Sequence, residues 1–297
     1  MTVVFVFAST FIVTKQLFTE ISPLAFACVR FAGITALAFV VLALSRAPWT
    51  VRRSDVPRFA VAGVCAYTLY QLGFVLGLDR TSPFSSSLLI GMVPLFTIAL
   101  LTILGERPHP LTWIGVAIAL VGTAIFVADK LGSPDSLLGD LLSLGSAVSF
   151  ATYGVVNRPL VKRYATATYT AYTILAGAIP LLALSLPAAL AQDWSGISTT
   201  SWLIVGYMMV LPVYVSYMVW NWAISRRGAA AASSYTLLVP VASGVFSVVL
   251  FGETFDLEKL LGAALILAGL VALQRRPAAV PTMQRREQDR HSVLAND

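Results

Sequence analysis

The chain has 297 residues, of which 58% are hydrophobic and 11% charged, with a mean hydropathy of +0.82. Soluble domains carry about 25% charged residues, so water cannot cover most of this surface and a soluble globular class is excluded. The formal charge of +6 does not indicate nucleic acid, because the basic residues lie in short loops and in the tail, where anionic lipid headgroups suit them.

A membrane-crossing helix needs about 20 apolar residues, and such runs predict ten spans: 2–18, 23–44, 57–78, 84–104, 111–127, 138–157, 168–191, 201–223, 230–251 and 257–273. The first carries Thr10 and Thr14; no basic segment precedes it and no small-residue cleavage site follows, so a cleaved signal peptide is not expected. Ser22-Pro23 opens the second, which contains Arg30. In the third, Tyr67, Tyr70, Gln71 and Phe74 share one face at i, i+3, i+4 and i+7. The fourth follows Ser82-Pro83, carries Ser85, Ser86, Ser87 and Pro94, and closes on Gly105-Glu106. Small residues Gly115, Ala119 and Gly122 line one face of the fifth, an arrangement suited to close helix packing.

A linker at 128–137 leads to the sixth span, with Ser146, Ser149, Tyr153 and Asn157. Pro180 in the seventh favours a kink, while Tyr207, Tyr214, Tyr217 and Asn221 form a stripe on the eighth, beside Trp220 and Pro212. The ninth carries Ser233, Ser234 and Pro240 and closes on Gly252-Glu253; the tenth repeats the small-residue face with Gly262 and Gly269. Residues 274–297 are polar and expected to be disordered. Cys28 and Cys65 lack CxxC spacing and read as small buried hydrophobes.

Charge sets the expected orientation. With the N-terminus inside, the inner segments hold Arg46, Arg52, Arg53, Arg58, Arg107, Arg158, Lys162, Arg163, Arg226, Arg227 and five tail arginines, 15 in all. The outer loops hold Lys15, Arg80, Lys130 and Lys259, which is 4. Both termini are therefore expected on the cytoplasmic side of a bacterial-type inner membrane.

The second half echoes the first. Gly105-Glu106 recurs as Gly252-Glu253 at an offset of 147, which also pairs Gly115 with Gly262, Ala117 with Ala264 and Gly122 with Gly269; Pro94 and Pro240 nearly match. Five spans per repeat is an odd number, so the halves must enter the membrane in opposite senses. The expected fold is all-α integral membrane, with ten helices as two inverted five-helix repeats, 1–127 and 138–273, around a central cavity. Inverted repeats are a common plan for secondary transporters, with the substrate near mid-membrane between the halves.

The repeat, the two Gly-Glu pairs, and Ser22-Pro23 followed by Arg30-Phe31 resemble the drug/metabolite transporter superfamily, specifically its ten-helix EamA-type exporters. Tyr217, Trp220, Asn221, Ile224 and Gly228 look like the eighth-helix pattern of the YddG-like amino-acid exporter branch. The resemblance implies export of aromatic and other neutral amino acids through a central cavity. The family's Trp-Gly in the first helix is absent here, where Phe7 and Ala8 stand.

Polar groups in hydrocarbon are costly and tend to face a cavity or bundle interior. Candidate substrate-binding residues are Tyr67, Tyr70, Gln71, Ser86, Tyr153, Asn157, Tyr214, Tyr217, Trp220, Asn221 and Ser234. The alternative readings are interfacial aromatics, as for Tyr207, Trp113, Trp194 and Trp202, and hydroxyls bonded to their own helix. Arg30 either receives a substrate carboxylate or ties the second helix in place. Pro94 and Pro240 are paired hinges or static kinks.

Every acidic residue is expected in a loop, in the tail or near a span end, which favours facilitated movement or coupling without a buried carboxylate. No HExxH, paired intramembrane carboxylates or Walker loop occurs, so no enzyme, no nucleotide-driven pump, no metal and no cofactor is expected. Drugs or nucleosides are the alternative cargo, and a channel the alternative mechanism. The expected partners are a small-molecule substrate and the bilayer, with the chain a monomer.

Overall fold

A computed structural model describes residues 2–106, 108–110, 112–128, 133–227, 238–252 and 255–274. Gly228, Ser233, Ser234, Glu253, residues 275–297 and the side chain of Ile224 lie outside the described residues. All the regular structure described is helical. The main rods are α1 (Thr2–Leu17), α2 (Pro23–Leu44), α3 (Arg53–Arg80), α4 (Pro83–Ile103), α5 (Thr112–Ala128), α6 (Pro134–Val156), α7 (Thr166–Ala191), α8 (Thr199–Met208, Met209–Val215 and Ser216–Arg227), α9 (Leu238–Phe251) and α10 (Leu257–Gln274). Among the described residues, α2, α3, α4, α7 and Thr199–Trp222 of α8 are long and apolar enough to cross a membrane; α5 and Val239–Val249 are shorter apolar helices.

Local chemistry sets the ends. Proline at the first turn starts α2, α4 and α6, where its missing N–H costs nothing. Ser82 and Ser198 cap α4 and α8 by accepting from the backbone N–H groups of Ser85 and Ser201, each at 3.2 Å. Gly105 and Gly252 take positive φ values of 88° and 63°, and Glu106 N–H returns to the Leu101 carbonyl at 2.9 Å. The repeated glycine is thus a left-handed helix stop.

Three rods are not continuous α-helix. α3 contains a π segment, Val64–Leu69, and α8 another, Met209–Val215, which includes Pro212. Their starts differ by 145 residues (209 − 64) and their ends by 146 (215 − 69), so the distortion repeats with the sequence. α4 breaks at Gly91-Met92 between Pro83–Ile90 and Val93–Ile103, which places Pro94 in the first turn of its second part.

The packing obeys the same exchange of halves. α5 lies on α10 at two glycine contacts: a Cβ on Gly115 would stand 2.8 Å from the Gly269 carbonyl oxygen, and one on Gly122 2.8 Å from that of Gly262. The repeat offset carries Gly115 onto Gly262 and Gly122 onto Gly269, so each contact maps onto the other. Likewise Gly33 of α2 abuts Met209, with a Cβ 2.6 Å from its sulfur, while Gly63 abuts Gly177 of α7, 2.7 Å from its nitrogen. One core cluster joins α1, α2, α3, α6, α7 and α8, and a second joins α4, α5 and α10.

Asp140 adds burial to the sequence expectation for carboxylates near span ends. α6 begins at Pro134, four residues before the hydropathy edge, because Pro134 and Asp135 suit a first helical turn. Asp140 consequently lies in the second turn, fully buried, and accepts from the Thr81 hydroxyl at 2.7 Å.

Candidate functional site

α3, α6 and α8 bring their aromatic residues together. The Tyr67 ring lies 4.7 Å from Tyr217, Tyr70 is 5.0 Å from Phe150, and Phe150 is 4.9 Å from Trp220. These separations suit tilted and edge-to-face ring pairing. Beside the cluster lies a cavity of about 50 Å³. Phe11, Tyr70, Phe150, Tyr217 and Trp220 form its aromatic wall; Ile90, Val93 and Val239 face them, with Ser87 and Gly91 at the break in α4. Ligand pockets measure roughly 300–1,000 Å³, so the walls must part to admit an organic molecule.

The interruptions shape this site. A side chain on Gly91 would stand 2.9 Å from the ring of Pro240, so α9 rests directly on the gap in α4. The Tyr217 hydroxyl donates to the Ala66 carbonyl, inside the π segment of α3, at 3.1 Å. Ser216 likewise donates to the Leu211 carbonyl, inside that of α8, at 3.0 Å. A side-chain hydroxyl therefore serves a carbonyl in each distorted turn, where the regular ladder is disturbed.

A polar layer backs the aromatic wall. The Tyr153 hydroxyl donates to Asn221 Oδ1 at 2.5 Å, and Asn221 Nδ2 donates to Thr170 Oγ1 at 3.2 Å. Arg30 Nη2 donates to Gln71 Oε1 at 2.5 Å. Among the described residues, Trp220 Nε1, on the cavity wall, is a buried donor without a partner, as is the Tyr214 hydroxyl.

Of the residues singled out in the sequence, Tyr70, Tyr217 and Trp220 line the cavity. Tyr67, Gln71, Tyr153 and Asn221 sit behind that wall. Ser86 pairs with Ser143 at 2.9 Å on the α4–α6 contact, Asn157 is buried just past the end of α6, and Tyr214 lies in the π segment of α8. Ser234 lies outside the described residues. Phe11, Ile90, Gly91, Val93, Phe150 and Val239 were absent from the sequence-derived set, since an apolar residue in an apolar span carries no distinguishing signal. Phe150 alone had a cue, three residues before Tyr153 on the same face.

The EamA-like transporter family model matches residues 1–128 and again 137–274, one match per repeat. The probable terminal-alkyne amino-acid exporter of Streptantibioticus cattleyicolor is 30% identical over 81% of this chain and 81% of its own length. The uncharacterized transporter YyaM of Bacillus subtilis is 27% identical over 89% and 88%, and the probable amino-acid metabolite efflux pump of Salmonella typhimurium 26% over 90% and 91%. One crystal structure shares the fold with a TM-score of 0.64, at 22% identity over 93% of this chain and 96% of the other. The chain belongs to the EamA-like transporter family and is a multi-pass membrane protein.

Proposed function

We propose that this protein exports neutral amino acids, aromatic ones among them, by alternating access through the cavity between α3, α6 and α8. The observation that carries the reading is the small aromatic chamber, built where distorted helices of both repeats meet. Aromatic walls suit an apolar side chain, and the polar layer behind them suits a zwitterionic head. Two relatives are named as amino-acid exporters or efflux pumps, which favours the same substrate class. In this reading the 15 basic inner residues face the cytoplasm, both termini lie there, and the chain works as a monomer in an inner membrane.

Movement down the substrate gradient is the simplest mode. A proton-coupled mode has one observation in its favour, the buried Asp140. Uptake of labelled phenylalanine and threonine into proteoliposomes, with and without an imposed pH gradient, separates the two. Saturable uptake indifferent to the gradient, and lost in Tyr70→Ala and Trp220→Ala, supports the facilitative reading. Gradient-driven accumulation abolished by Asp140→Asn replaces it with coupling. No uptake of either amino acid removes the substrate assignment.

A further inference from the structure

We propose that Arg30 is the receptor for a carboxylate on the cargo, and that it restricts the carrier to carboxylate-bearing molecules; the inference rests on the carrier reading above. Arg30 lies two turns into α2 and is 1% exposed, so it neither reaches water nor snorkels to a headgroup. The ion pairs among the described residues are Arg80–Asp79, Arg158–Glu106 and Arg163–Asp55, which leaves Arg30 without a carboxylate partner. A buried guanidinium lacking an anion is costly, and proteins ordinarily pair it.

The surroundings provide only partial compensation. Arg30 Nη2 donates to the neutral Gln71 amide, the rings of Phe26, Phe31 and Phe74 lie 4.5, 5.4 and 5.9 Å from the guanidinium carbon, and Nε is buried without a partner. Nothing here ties α2 to a neighbouring backbone carbonyl through Nε, as a purely structural arginine would. A guanidinium presents parallel donors that match the two oxygens of a carboxylate. Gln71 Oε1 occupies the position that one such oxygen would take.

A short path connects this group to the cavity. Gln71 follows Tyr70 in α3, and the Phe74 ring lies 5.4 Å from Phe11 and 6.3 Å from Tyr70, both of which line the chamber. A cargo with its side chain among the aromatics reaches the guanidinium once Gln71 and Phe74 turn aside.

Two variants test the inference on the full chain. Gln71→Glu gives Arg30 a resident carboxylate: it should raise the thermal midpoint and weaken competition by phenylalanine at least about tenfold. Arg30→Gln should abolish discrimination between phenylalanine and phenylalaninamide, which wild type should show at about tenfold or more. A structural role would weaken both competitors equally and leave their ratio alone. Binding is read independently as thermal stabilisation by 3-phenylpropionate against phenethylamine. Stabilisation by 3-phenylpropionate that is lost in both variants supports the receptor even if phenylalanine is not carried, in which case only the amino-acid reading fails. An unchanged competitor ratio in Arg30→Gln, or full phenylalanine affinity in Gln71→Glu, overturns the proposal while transport stands. If Arg30→Gln does not fold, Gln71→Glu decides the matter.

Discussion

Tyr217 shows how one side chain holds both the wall and the helix behind it: its ring closes the cavity while its hydroxyl serves the Ala66 carbonyl. Tyr217→Phe keeps the ring and leaves that buried carbonyl without its partner, so stability should fall by about 1–3 kcal/mol, read from thermal unfolding in detergent. An unchanged midpoint would show that the π segment satisfies itself. Asp140 separates in the same way. Asp140→Asn keeps an acceptor for Thr81 and should be milder than Asp140→Ala, which removes that acceptor. At the surface, Glu20 accepts from the Ser198 backbone N–H at 2.8 Å and from its hydroxyl at 3.0 Å, bonds that hold its carboxyl below the ordinary range. A lowered carboxyl contributes above the ordinary carboxylate range and loses that contribution as pH falls through the lowered value. Amide protection at Ser198 should therefore decline in acid but stay flat in Glu20→Gln. At this scale the sequence exposes a residue only where its chemistry is out of place. Tyr70 and Trp220 stood out as amphipathic groups in apolar runs, whereas Ile90 and Val93 were indistinguishable from lipid-facing neighbours. Asp140 lies near a span end, as expected, but hydropathy gave no mark of its burial.

Among the elements, the rods follow from apolar length and from their Ser-Pro and Gly-Glu punctuation, but the interruptions do not. A π segment at Val64–Leu69 has no sequence mark, since its residues would serve equally in an α-helix; Pro212 marks only its counterpart in α8. The break in α4 falls at Gly91-Met92, ahead of Pro94, because a proline is tolerated in a first turn and not in a helix interior. Pro94 and Pro240 remain proposed hinges, and the seat of Pro240 on Gly91 gives the idea a mechanical form. Replacing each with Ala should slow transport while leaving expression intact; unchanged rates would move the hinge to the π segments. The α5–α10 contact is a rigid counterpart. Gly122→Val must displace backbone 2.7–2.8 Å away, at Ile266 and Gly262, and should cost about 1–3 kcal/mol in thermal stability. Full stability in that variant would mean the two helices can separate freely.

For the whole molecule, the 147-residue offset seen in sequence is also the operation that maps the α5–α10 contacts onto each other. Two pseudo-equivalent halves can exchange shapes, which gives inward- and outward-facing forms of similar energy. The 50 Å³ chamber is lined from both halves and is too small for an organic cargo until its walls part. The most direct test is counterflow: proteoliposomes loaded with unlabelled phenylalanine and diluted into a trace of labelled phenylalanine. A carrier should give a transient, saturable overshoot of label that disappears in Trp220→Ala. Label that merely equilibrates, without overshoot or saturation, would contradict a carrier and point to a pore.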